Sequence, residues 1–169
     1  MKKLIYTFDS EIIPELKEVG GKAKSLIQTT KAGLLVPGGL ALSVAFFDEW
    51  TKKIKASKEW KVLLKNPTKE NCDIIKHQAQ KLSLSDTMKK ELDKNLKELK
   101  GEIFAVRSSS PEEDLEGISF AGMYETILGT TRNNLEESIA SAYSSMLDFR
   151  VMEYKAQHNI DLAGTCISV

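Results

Sequence analysis

Two rhythms of apolar residues run along this chain, and each change of rhythm marks an element. Residues 4–8 read as a short strand. After a turn at Gly20-Gly21, a helix starts at Lys22 with Ala23, Leu26, Ile27 and Thr30 on one face and ends near Gly33. Residues 35–42 form an apolar strand interrupted by Pro37-Gly38-Gly39, which predicts a bulge or an edge position. Ser43 is placed to cap a helix with Phe46, Phe47, Trp50 and Ile54 inward; a charged stretch over 55–65 follows, anchored by Trp60, Leu63 and Leu64. Thr68 and Ser85 each precede a helical stripe: Cys72, Ile75, Ala79, Leu82, then Met88, Leu92, Leu96, Leu99, stopped by Gly101. Strands are expected over 103–107 and 120–128. Asn133 and Glu136 resemble a capping box before a helix with Leu135, Ile139, Tyr143, Met146 and Leu147, and a last helix covers about 149–158.

The pattern predicts an α+β chain: a small, mostly antiparallel sheet flanked by helices. The closing run Cys166-Ile167-Ser168-Val169 reads as the opening of a strand, so the chain is expected to be part of a longer protein. At 169 residues with 41% hydrophobic content it can bury a real core.

Charge narrows the functional classes. Lys plus Arg is 24 and Asp plus Glu is 24, a formal balance of zero, which argues against nonspecific binding to nucleic acid or a membrane surface. No stretch approaches the ~20 apolar residues of a membrane span, and the start Met1-Lys2-Lys3 lacks a following cleavage site, so a cytoplasmic location is expected. Cys72 and Cys166 stand far apart with no Cys/His ligand spacing, so no zinc or other metal ligand is assigned. His77 and His158 have no nucleophile or acid at an informative spacing and read as solvated.

Candidate chemistry gathers in two places. Val19-Gly20-Gly21-Lys22 leads into a helix, where glycines admit a ligand close to the backbone and a lysine meets a phosphate as a mobile charge. The bland reading is a helix start with an exposed lysine. Phe104-Ala105-Val106 ends in Arg107, followed by Ser108, Ser109 and Ser110. A strand-end arginine can hold phosphate oxygens with two prongs, or it can be a structural partner of Glu112, Glu113 or Asp114. Further on, Gly122 precedes Met123-Tyr124-Glu125-Thr126, whose amides can cover a nucleotide's β and γ phosphates; a β-bulge is the alternative. Glu125 reads either as a polar support or as an outward strand residue.

In order and spacing, these motifs resemble the N-terminal nucleotide-binding domain of phosphoenolpyruvate synthase and pyruvate phosphate dikinase. The set is Val19-Gly20-Gly21-Lys22, residues 32–39 ending Val36-Pro37-Gly38-Gly39, Ala105-Val106-Arg107-Ser108-Ser109-Ser110, Glu113-Asp114-Leu115, and Ser119-Phe120-Ala121-Gly122 through Glu125-Thr126. The resemblance covers essentially all of residues 1–169. It implies the N-terminal part of an ATP-grasp domain, with ATP as ligand. In that family ATP phosphorylates a histidine on a swivelling domain, and the group passes on to pyruvate. Lys22 and Arg107 take the catalytic, charge-neutralising roles; Ser108, Gly122, Met123, Tyr124, Glu125 and Thr126 join them in binding the nucleotide. The family's magnesium ligands and phosphohistidine domain fall outside this chain. Two departures stand out: Pro37-Gly38-Gly39 where the family usually has Pro-Pro-Gly, and Met123-Tyr124 where it often has two glutamines.

Two rival readings stay open. One is an antibiotic-modifying dikinase similar to rifampin phosphotransferase, which shares this domain; the other is a nucleotide-binding module without catalysis. Residues 116–124 are further expected to become ordered when nucleotide binds, because Gly117 and Gly122 bracket a segment with few apolar anchors.

Overall fold

Two short antiparallel strand pairs frame the chain in the computed structural model, which describes residues 2–112, 120 and 122–169. Strand β1 (Ile5–Thr7) pairs with β2 (Leu40–Leu42), and β3 (Ile103–Arg107) pairs with β4 (Thr126–Thr131). Between and after them lie α1 (Leu16–Lys31), α2 (Asp48–Ala56), α3 (Lys58–Lys65), α4 (Lys69–Gln80), α5 (Asp86–Leu96), α6 (Leu135–Ser144) and α7 (Phe149–Gln157). The architecture is the α+β one that the pattern predicts. The final residues join the strand pairs: Leu42 and Val169 exchange two hydrogen bonds (2.7 and 3.1 Å), and Ser109 and Ser168 exchange two more (2.9 and 3.0 Å). The strand-like reading of residues 166–169 is thereby explained, since Ser168 and Val169 are bonded to the end of β3 and to β2.

The helices hold the larger core. Phe47, Trp50 and Tyr143 form a ring cluster with centroids 5.0 to 5.5 Å apart. The polar edges of Trp50 and Tyr143 are paired, as burial demands: the Trp50 indole N–H donates to the Ser83 carbonyl (3.0 Å), and the Tyr143 hydroxyl meets Thr51 Oγ1 (3.0 Å). Cys72, Ile75, Ala79, Met88, Leu92 and Leu96 complete this core as their spacing predicts. A second, smaller cluster of Tyr6, Val19, Ala23, Ile27 and Ala41 packs α1 on β1 and β2.

Several predicted elements shift. The helix after Ser43 opens as a 3-10 turn, Val44–Phe47, and the Ser43 hydroxyl donates to the Lys3 carbonyl (2.9 Å) instead of capping. The charged stretch divides at Ser57, whose hydroxyl accepts from Trp60 N and starts α3. Only Leu40–Leu42 of the 35–42 run is a strand; Leu35 is fully exposed, and Phe8 packs where a Cβ on Gly39 would stand, 2.2 Å from its ring. The second strand of the later pair begins at Thr126, not at Phe120, because 122–124 turn: Met123 N donates to the Phe120 carbonyl (3.0 Å). The capping box is Thr131 with Asn134, while Glu136 instead accepts from Leu84 N at 2.7 Å. Thr68 and Ser85 cap as expected.

The most consequential irregularity is inside α1. Gly20 has φ 72° and ψ 171°, so the helix breaks there and restarts at Gly21. A helix restart leaves its first amides unpaired. One of them, Ala23 N, donates to the hydroxyl of Ser109, 86 residues away (3.2 Å). A Cβ on Gly20 would stand 2.5 Å from Ser109 Oγ and 2.7 Å from its carbonyl carbon and oxygen. Gly20→Ala therefore combines a glycine-only backbone with a backbone clash, and is expected to cost about 3 kcal/mol. Gly33→Ala, also at positive φ (80°) but with nothing within 4 Å, serves as the control and is expected to cost about 1 kcal/mol. Urea unfolding midpoints of the two variants separate the clash from the backbone term; equal losses would remove the close approach as the cause.

Candidate functional site

Three local contacts bring the separate sequence motifs to one corner. First, Gly20 and Ala23 lie against Ser109, which sets the Gly20-Gly21-Lys22 turn beside the end of β3. Second, Arg107 is the register partner of Thr126, so the strand-end arginine stands at the mouth of the β3–β4 pair. Third, Ser108 ties the following loop down: its amide and its hydroxyl both donate to the Glu125 carbonyl, at 3.3 and 2.8 Å. Lys22, Arg107, Ser108 and residues 122–126 thus come from segments in direct contact.

Exposure divides these residues into two groups. Lys22, Arg107, Gly122 and Thr126 are exposed, and the Arg107 side chain makes no salt bridge or hydrogen bond among the described residues. Glu112, one of its three expected partners, is bound instead by Lys155. Glu113 and Asp114 lie outside the described residues, as do the rest of 113–119 and Ala121, and with them most of the segment expected to order with nucleotide. Ser108, Ser109 and Ser110 are buried and their hydroxyls are committed: to Glu125, to Ala23 N, and to the Cys166 carbonyl with Glu112 N. The three-serine run works here as a set of internal ties. Gly122 takes φ 73° with open space around it, the conformation a tight exposed turn requires.

Glu125 acts as a polar support. Its carboxylate accepts from Lys76 Nζ (2.9 Å) and Ser141 Oγ (3.0 Å), and Lys76 also reaches Asp148 (3.1 Å). Burial by itself would lower the Lys76 pKa, but its bonds to Glu125 and Asp148 outweigh it and hold the ammonium above its ordinary range. Burial likewise pushes Asp148 up, yet hydrogen bonds from Lys76 and Arg150 prevail and hold it below the usual carboxylate range. Lys76, Ser141 and Asp148 carried no signal in the sequence: each looks like an ordinary helical polar residue until α4, α6 and α7 are packed together. Both histidines are exposed, as expected; His158 lies over the Tyr154 ring at 4.0 Å between centroids. Burial pushes the Cys72 thiol to about 12, which fits an inert core residue.

Concavity and chemistry do not coincide. A cleft of about 370 Å³ opens between Phe8, Val36-Pro37-Gly38-Gly39 and Asn95 to Lys100, away from Lys22 and Arg107. Among the described residues no group of three or more His, Cys, Asp or Glu is placed to hold a metal, and no helix is long and apolar enough to cross a membrane.

Comparison with known proteins matches the chain to a family. Residues 16–169 match the family model described as pyruvate phosphate dikinase, AMP/ATP-binding domain. The chain is 32% identical over 153 residues to an uncharacterized phosphotransferase, YvkC, of Bacillus subtilis, covering 89% of this chain and 17% of that protein. It is 26% identical over 212 residues to a probable phosphoenolpyruvate synthase of Pyrococcus horikoshii (98% and 26% covered). It is 25% identical over 170 residues to the phosphoenolpyruvate synthase of Escherichia coli (91% and 22% covered). The chain spans about a quarter or less of the length of these relatives.

The Lys76–Asp148 pair generates a pH prediction. A carboxylate with a depressed folded pKa contributes stability above its unfolded value, about 3.9, and loses it as pH falls through the folded value. Stability is thus expected to drop on the acid side of pH 4, and Asp148→Asn is expected to lower stability at pH 7 while flattening that limb. Thermal unfolding from pH 2.5 to 7 checks this; an unchanged acid limb in the variant would reject it.

Proposed function

The chain belongs to the pyruvate phosphate dikinase AMP/ATP-binding domain family, and from that premise we propose that it is the ATP-binding part of a phosphoenolpyruvate synthase-type dikinase. In this reading the fold is the N-terminal part of an ATP-grasp domain. The intact protein transfers a phosphoryl group from ATP to an enzyme histidine and on to pyruvate. The observation that carries the proposal is the meeting of the Gly20-Gly21-Lys22 helix restart with the Arg107 strand end, both cations exposed at one corner.

Mechanistically, the chain's contribution is placement and charge. As the histidine nitrogen bonds to phosphorus, the bond from phosphorus to the bridging oxygen breaks and the departing phosphate oxygen keeps the electron pair. Charge accumulates on the phosphate oxygens through this step. Lys22 meets it as a mobile ammonium and Arg107 as a planar two-pronged donor, the arrangement phosphoryl transfer requires. Gly122 and the amides of Tyr124, Glu125 and Thr126 cover the phosphates, while the Met123 amide is bonded to the Phe120 carbonyl and shapes the turn. Ser108 and the Glu125 carboxylate act indirectly, by holding that loop to β3 and to α4 and α6. Magnesium, expected from the family resemblance, has no ligand assigned in this chain, whose own part in the transfer is played by these cations and amides.

The 32% identity to a phosphotransferase of unspecified acceptor supports a second reading, in which the final acceptor is another molecule, an antibiotic hydroxyl included.

In the intact protein, Lys22→Ala and Arg107→Ala are each expected to slow phosphorylation of the enzyme by ATP about 100-fold or more. Both side chains are exposed, so the thermal midpoint should move little. Rapid-quench measurement with labelled ATP, alongside thermal unfolding, checks both. If Arg107→Ala unfolds the domain while its folded fraction keeps the wild-type rate, the residue is structural and the assignment fails.

A further inference from the structure

Among the described residues, Lys155 is the one charged residue whose side chain is wholly buried. It lies on the inner side of α7 with Val151 and Met152, positions that ordinarily carry apolar residues. A buried ammonium is tolerated only when paired and hydrogen-bonded. Here it donates to the Glu112 carboxylate and, at 2.6 Å, to Thr165 Oγ1. Burial pulls the Lys155 pKa down and Glu112 pulls it up, with burial prevailing.

The two partners of Lys155 belong to the two segments that meet beyond β3. Glu112 N donates to Ser110 Oγ (3.1 Å), and Ser110 Oγ donates to the carbonyl of Cys166 (3.4 Å), the neighbour of Thr165. Lys155, Glu112, Ser110, Cys166 and Thr165 therefore close a small polar ring. One step back along the chain, Ser109 pairs with Ser168 and caps the restart of α1; two further back stands Arg107. An apolar pair at Lys155 and Glu112 would fill the same volume with comparable or better stability. What the ion pair adds is direction: it anchors Glu112, whose amide is joined through Ser110 Oγ to the segment that follows β3.

Building on the nucleotide-binding reading above, we propose that Lys155 is a positioning residue for ATP: it touches no phosphate, but through Glu112 and Thr165 it holds the Arg107–Ser110 backbone where Arg107 reaches the phosphates. Supporting residues one step behind a ligand commonly change affinity by about tenfold or more when removed.

The test is calorimetric titration of the intact protein with a nonhydrolysable ATP analogue, below the thermal midpoint of every variant. Lys155→Met and Glu112→Gln are each expected to raise Kd about tenfold or more. The double variant should be no weaker than the weaker single, because both remove one tie. Arg107→Ala should add little on the Lys155→Met background. If Lys155→Met does not fold, the double variant, which leaves neither charge buried alone, decides by the same criterion. Folded variants that bind with the wild-type Kd, whatever their thermal midpoint, would overturn the positioning role alone. A wild-type protein that binds no analogue would overturn the nucleotide reading and this inference together.

Discussion

One close approach organises the molecule: the backbone of Gly20 lies against Ser109, at a distance no side chain on residue 20 would permit. Ser109 then does three things at once. Its hydroxyl caps the restart of α1, its backbone pairs with Ser168, and its carbonyl also accepts from the Ser168 hydroxyl. Ser168 in turn donates to the Val19 carbonyl. Three segments distant in sequence are thereby tied within a few ångströms, and the lysine and arginine on either side of the knot acquire a fixed relation. The two strand pairs alone would not provide this, since each has only two strands.

The corner is also divided by burial. Among the described residues, the hydroxyls of Ser108, Ser109 and Ser110 and the Glu125 carboxylate are hydrogen-bonded, while Lys22 and Arg107 are exposed. Ser108, Glu125, Lys76, Ser141 and Asp148 form a polar skeleton that links the β3–β4 turn to α4, α6 and α7. A low-dielectric network of this kind is rigid when every member is satisfied. It suits a site whose work is to present charges at fixed places.

Helical stripes such as Cys72, Ile75, Ala79 and Met88, Leu92, Leu96 were legible because one period of apolar residues maps to one buried face. Caps at Thr68 and Ser85 were legible because the side chain acts within three residues. The order of the motifs that hold Lys22, Arg107 and Gly122 was legible as a family signature, and residues 16–169 match that family. What sequence could not deliver were ties over long separations. Ser43 turned to Lys3, Glu136 to Leu84, and Ser109 to Ala23, each overriding a local reading with a partner many residues away. The strand expected from Phe120 fell short because the turn at 122–124 displaced its start to Thr126. Lys155 is the extreme case: on α7 it reads as a surface lysine, and only its fully buried position and its bonds to Glu112 and Thr165 show otherwise.

The Ser168–Val19 bond spans 149 residues, and this bears on how the chain comes to fold. A ribosome delivers the chain from its amino end, so the α1 restart emerges early and Ser109 much later, while Ser168 comes almost at the end of these 169 residues. Helices α2 to α5 have neighbours close in sequence and can assemble as they appear. The corner where α1 meets the end of β3 has to wait for loops of this length to close, a slow and entropically costly event. During synthesis the chain therefore passes through an interval in which it has helices but not yet the ties among Val19, Ser109 and Ser168. A nascent chain in that interval is exposed to misassembly in a way the completed domain is not.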